Sequence, residues 1–313
     1  MPVTTRSKLM LEVASELVAQ DNRFWQQAVV SLRAQGPEPW GARLFASDTP
    51  SGIDAVVRGE ADVAIVNPSG PLTVAYRGKG PWREPQPVRV VTCIPSYDQF
   101  VFAVTGDLGL NTFEEIGEKR VPIKVSLRGQ ADHSTHFMLD HIMEASGFSI
   151  RDLRSWGGET HYHHGLANAP HRIPGVKAGE GINAVFDEAV NQTAGPALEI
   201  GMKVLPLREE TVRKLEAMGY RRGIIAKKDV PKLPQDVLTI DFSGWPVFCR
   251  ETTSDELVTA FCAGLEARKD RIPWQGDGPL PLERMCFDTP DGPLDVPLHP
   301  AAERFWRERG YLK

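Results

Sequence analysis

Two α/β lobes around a shared cleft are the architecture that this 313-residue sequence predicts. Three observations carry that expectation. The length suits two cores of about 150 residues each. Helical and strand-like patterns alternate along the chain, which favours an α/β class. One motif also occurs twice: Gly59-Glu60, Ala61–Val66 and Asn67 are echoed by Gly179-Glu180, Gly181–Phe186 and Asp187. Each copy reads as a helix, a glycine stop, an apolar strand and a polar residue at the strand's carboxyl end. Ligands of open α/β sheets sit outside those ends, so Asn67 and Asp187 are expected to face each other across the cleft.

The elements follow in order. Leu9–Ala19 has apolar residues at helical spacing, and Ile53–Arg58 ends a helix at Gly59. Ala61–Val66, Val88–Ile94, Gln99–Val104 and Val121–Leu127 are apolar runs of strand length. Asn111–Gly117 is a short helix, and Ser134–Gly147 a longer one closed by its glycine. Leu233–Val237 leads into a strand over Leu238–Phe242. Ser254 caps a helix to Lys269, with Asp255 and Glu256 in its first turn. Pro273–Pro300 is an irregular Pro- and Gly-rich segment, after which Pro300 opens a final helix.

Composition narrows the function. Hydrophobic residues make up 41% and charged residues 25%, ordinary for a globular protein. A net charge of −5 argues against nucleic acid as a partner and against a polybasic membrane anchor. No apolar run is long enough to span a membrane, so no insertion is expected. Glu12 and Glu16 interrupt the first apolar stretch, which therefore does not read as a secretory signal. As written the chain is expected in the cytoplasm, or in the periplasm if the native chain carries a removed signal. Cys93, Cys249, Cys262 and Cys286 lack CxxC spacing and read as buried free thiols. The tryptophans, among them Trp25, Trp40 and Trp245, are scattered and read as core or hinge anchors, with Trp245 also suited to line the cleft.

Several segments resemble a known family. GIDAVVRGEADVAIVN, VKAGEGINAVFDEA and VPLHPAAERFWRERG are similar to the TAXI solute receptors of TRAP transporters. FEEIGEKRVPIKVSLRGQADHSTHFMLDHIMEASGF, LPLREETVRKLEAMGY and KKDVPKLPQDVLTIDFSGWPVFCRETTSDELV continue the likeness, which covers most of residues 50–313. The resemblance implies a two-lobed periplasmic-binding-protein-like fold of the second structural type, with an interlobe cleft. It places hinge crossings near Asp98 and Gly244, lobe one over 1–98 and 245–313, and lobe two over 99–244. It also implies a small carboxylated or otherwise polar ligand, and TRAP membrane subunits as partners if the protein is exported. Three features depart from the family: the glycine-rich opening strand is missing or reduced to Met1–Ser7, no secretion signal precedes it, and His161–Pro174 is an insertion.

An anionic ligand in such a cleft is best held by helix N-termini and by cations. Asn67 and Ser69 stand where one helix would begin; Gln130, Ser134 and Thr135 stand at the start of another. Arg128 ends the strand before that helix and is expected to grip a carboxylate. Tyr97, entering the first crossing, is expected to stack on the ligand or pack the hinge. Seven of eight histidines fall between residues 133 and 171. His133, His136, His161 and His163, with Glu188, make a candidate site for Zn²⁺, Fe²⁺ or Mn²⁺. His141 and His299 read as structural. No nucleophile elbow, P-loop or dinucleotide fingerprint is present. Two functions follow: a binder of a small anionic solute, as receptor or cytoplasmic sensor, or a cytoplasmic enzyme on the same fold. The latter would be a metal- or His-dependent decarboxylase or hydrolase acting on a small carboxylate.

Overall fold

A computed structural model describes residues 5–20, 27–33, 41–47 and 49–313. Met1–Thr4, Trp25 and Trp40 lie outside the described residues. Among those described, no helix is long and apolar enough to cross a membrane.

Two five-stranded sheets organise the chain. The first contains β1 (Gln27–Arg33), β2 (Gly41–Ser47), β3 (Val63–Ile65) and β4 (Val88–Ile94), joined late in the sequence by β12 (Trp245–Arg250). Its order is β1-β2-β3-β12-β4. β2 and β3 are parallel, and β12 runs antiparallel between β3 and β4. The second sheet contains β5 (Val101–Thr105), β6 (Lys124–Arg128), β7 (Glu159–His163), β8 (Ala184–Asp187) and β9 (Met202–Val204), in the order β7-β6-β8-β5-β9. Here β5 is the antiparallel insert, between β8 and β9. Each sheet therefore receives one strand from the chain returning out of the other, and the two lobes share one plan.

The chain passes between the sheets after β4 and again before β12. Gln99 and Asp241 form an antiparallel bridge there. Gln99 Nε2 donates to Asp241 Oδ1 at 2.8 Å, and Ser243 Oγ donates to the Asp98 carbonyl at 2.9 Å. A two-stranded ribbon, β10 (Arg222–Ile225) with β11 (Val237–Ile240), leads into the second crossing.

Hydrophobic burial accounts for this layout. Phe100, Phe102, Phe113, Phe186 and Phe242 fill the second lobe's core, with Phe102 and Phe113 ring centroids 4.3 Å apart. In the first lobe, α10 (Asp255–Arg268) and α11 (Pro300–Glu308) bury Val258, Cys262, Phe305 and Trp306 against the sheet. Ser254 accepts from Leu257 N at the start of α10, and His299 Nδ1 accepts from Ala301 N at the start of α11. His141 is buried, its Nδ1 2.7 Å from the Tyr220 hydroxyl. All four cysteines are buried free thiols.

Helix α1, Arg6–Gln20, covers the expected Leu9–Ala19 helix, and the first sheet begins with β1 and β2, where no strand was expected. Those strands alternate weakly and leave much of β1 exposed, so their period-two signal is faint.

Candidate functional site

A cleft of about 1980 Å³ opens beside the crossings and is lined from both lobes. The first lobe and the crossings contribute Asn67, Tyr97, Asp98, Trp245 and Gln275. The second contributes Arg128, Gln130, His133 and Glu188, together with residues 164–166, 168–169 and 189–192. Strand ends and helix starts supply most of this wall, as the sheets' geometry dictates. Asn67 precedes helix α3 (Ser69–Tyr76), Gln130 and His133 precede α5 (Ser134–Ala145), and Glu188 precedes α8 (Val190–Glu199).

Charge is concentrated at the second-lobe wall. Arg128 Nε donates to Asp187 Oδ1 at 2.8 Å, and its Nη2 is bonded to Glu188 Oε1. Asp187 is fully buried, and Arg172 Nη1 bonds its other oxygen. Glu188 and Asp98 are hydrogen-bonded to each other, and burial pushes both carboxyls up, Glu188 well above the usual carboxylate range. Asp98 Oδ1 also accepts from Gln99 N at 2.8 Å and from Val190 N at 2.9 Å, at the start of α8. Two arginines, Arg128 and Arg172, thus stand against Asp187 and the Asp98–Glu188 pair.

The first-lobe side is polar and uncharged. Asn67 Oδ1 and Trp245 Nε1 are buried without a hydrogen-bond partner. Gln275 Oε1 accepts from Ser96 Oγ at 2.8 Å, and the half-exposed Tyr97 donates its hydroxyl to the Ile224 carbonyl at 3.2 Å. Lys228 and Asp229 stand exposed at the rim.

Asn67, Tyr97, Arg128 and Gln130 thus line the cleft, whereas four other expected ligand contacts do not. Ser69 is buried, and its hydroxyl donates to the Ser243 carbonyl at 2.9 Å. Ser134 is fully buried. Thr135 is buried with its N–H on His133 Nδ1 at 3.2 Å. Asp187 is fully buried behind the wall, between Arg128 and the buried Arg172. Glu188, one residue on, takes the place at the wall. Trp245 lines the cleft as expected, whereas Gln275 and Asp98 were not singled out as contacts, although Asp98 adjoins the first expected crossing.

The expected metal ligands are held by other partners. Among the described residues, no three His, Cys, Asp or Glu side chains come together to hold an ion. His133 caps α5, and burial holds it neutral, its pKa pushed down to about 3. His136 Nε2 lies 2.9 Å from the Arg128 carbonyl. His161 and His163 share one face of β7 with rings stacked 6.2 Å apart. They face different partners: His161 pairs with Glu159 at 3.1 Å, and His163 with Ser126 Oγ at 3.0 Å. Glu188 is bound to Arg128 and Asp98 on the cleft wall.

Two sheets on one plan, two crossings and a cleft lined from both sides define the two-lobed fold of solute-binding proteins. The chain belongs to the NMT1-like family, whose model matches residues 49–310. It is similar to the alkanesulfonate-binding protein SsuA from Xanthomonas axonopodis pv. citri bound to MOPS, at 12% identity over 70% of this chain and 80% of that one, with a TM-score of 0.31. PstS from Borrelia burgdorferi is similar at 13% identity over 84% of this chain and 89% of that one, with a TM-score of 0.36. A structure described as a periplasmic transporter is similar at 18% identity over 71% and 69% of the two chains, with a TM-score of 0.36. No curated protein matches the chain.

Proposed function

We propose that the protein is a solute receptor of the TAXI type, capturing a small polar organic molecule with an acidic group in its interlobe cleft. One observation carries this reading: the cleft is walled by residues of both lobes and lies beside the two segments that, among the described residues, join the sheets. A ligand that touches both walls has its full binding energy only when they approach, so it favours closure. The cleft volume of about 1980 Å³ exceeds the upper end, about 1,000 Å³, of small-ligand sites. That excess suits an open form.

The acidic group is assigned by electrostatics. Burial pushes the Glu188 carboxyl well above the usual carboxylate range, which lessens its negative charge at the wall, and α5 begins at the cleft with Gln130 and His133, its positive dipole end toward that wall. Arg128 adds fixed positive charge. Asn67, Trp245 and Gln275 supply neutral donors and acceptors for the rest of the molecule. In this reading the protein works in the periplasm and delivers its cargo to TRAP membrane subunits.

Native mass spectrometry of the purified protein, with a thermal-shift panel of small mono- and dicarboxylates, tests it. A bound organic acid, or stabilisation by members of the panel, is the expected result. A protein that carries nothing and is stabilised by no acid, but is stabilised by cationic solutes, would overturn the acidic-ligand assignment.

A further inference from the structure

The histidine-rich insertion His161–Pro174 ends in an arginine whose environment differs from every other arginine described. Arg172 is fully buried. Its Nε donates to Ser126 Oγ at 3.1 Å, its Nη1 to the Gly165 carbonyl at 3.0 Å and to Asp187 Oδ2, and its Nη2 to the Phe186 carbonyl at 3.4 Å. One guanidinium thereby joins β6, β8 and the insertion's own turn. A planar fork of five donors can do this, and an ammonium cannot.

Both ends of this contact matter to the cleft. On one side, residues 164–166, 168 and 169 of this segment supply cleft wall. The loop is also held by Gly129 N on the His163 carbonyl at 2.8 Å, by Ile173 N on the Ala167 carbonyl at 3.0 Å, by His171 Nδ1 2.9 Å from Glu180 Oε2, and by the packing of the buried Ala167. On the other side, Asp187 uses its second oxygen to hold Arg128 Nε at the wall. We infer that Arg172 is a positioning residue: it clips the 164–169 lip to the cleft and, through Asp187, fixes the guanidinium of Arg128. This rests on the reading of the cleft as the binding site, but its test needs no ligand.

The two roles separate by substitution. Arg172→Lys keeps a positive charge for Asp187 but loses the fork that reaches Gly165, Ser126 and Phe186. Arg172→Gln loses the charge as well. Amide hydrogen exchange of the ligand-free protein, read by mass spectrometry, should show the 164–171 peptide exchanging at least about tenfold faster in both variants, with β6 and β8 little changed, because opening is local. The Arg128 Nε–H resonance, assigned by its loss in Arg128→Lys, should keep its position in Arg172→Lys and shift or broaden in Arg172→Gln. Ser126→Ala removes the Nε acceptor together with the His163 Nδ1 contact but leaves the Gly165, Phe186 and Asp187 bonds, and should give a smaller change in the same peptide, which keeps the question open to measurement if Arg172→Gln does not fold. Unchanged exchange in 164–171, or acceleration spread evenly over the second sheet, would overturn the clip. An Arg128 resonance that ignores both variants would overturn the coupling through Asp187. Failure of the ligand assignment would instead appear as absent binding with these exchange results intact.

Discussion

Asp241 sits at the crossing with both carboxyl oxygens engaged, by Gln99, Ser243 Oγ and Ser243 N. Burial nevertheless dominates and raises its pKa to about 6. An acid whose folded-state pKa lies above its unfolded value binds its proton more tightly when folded. Its contribution is present at acid pH and fades as pH rises from about 4 through 6, by about 2 to 3 kcal/mol. Asp241→Asn should flatten the change in urea midpoint between pH 4.5 and 7.5; a variant whose midpoint tracks wild type over that window would contradict this. At this same scale the sequence disclosed residue types better than their directions. Arg128 and Asn67 were legible because they end strands, where cleft walls form. The Asp187–Glu188 choice was not, because which of two adjacent acids lines the cleft depends on burial and on the bond to Arg172, fifteen positions earlier. The histidines cluster in sequence, yet each is drawn to a nearer partner, such as Ser126, Glu159 or a helix start.

β10 and β11 show how an element constrains the hinge. Gly223 lies against the second crossing, and a Cβ there would fall 1.9 Å from Gln99 Oε1 and 2.8 Å from Asp241 N. Gly223→Ala should therefore displace the Gln99–Asp241 contact and cost about 1–3 kcal/mol, as overpacking does. Chemical denaturation checks the magnitude, and an unaltered midpoint would mean that the ribbon yields without cost. Most elements were readable from pattern: β4 and the start of α10 fall where hydrophobic runs and a serine cap put them. β1, β2 and β7 were not. β7, Glu-Thr-His-Tyr-His, is an edge strand whose polar side chains mimic a loop, and β1 is exposed along most of its length. Edge strands are specified by the neighbour they pair with, which no local window contains.

For the whole molecule, an open cleft between two lobes makes shape an observable. Small-angle scattering should give a radius of gyration above the roughly 20 Å of a compact chain this long, falling when a bound acid draws the walls together. No fall on saturation by a bound acid would count against closure. The direction of that movement is already limited by the paired crossings, where backbone bridging and the Gln99–Asp241 and Ser243–Asp98 bonds lash two segments side by side. A single tether would let one half swivel freely on the other. A laced pair bends across its flat face but resists torsion, so the jaws can swing along one arc and meet in the same alignment each time.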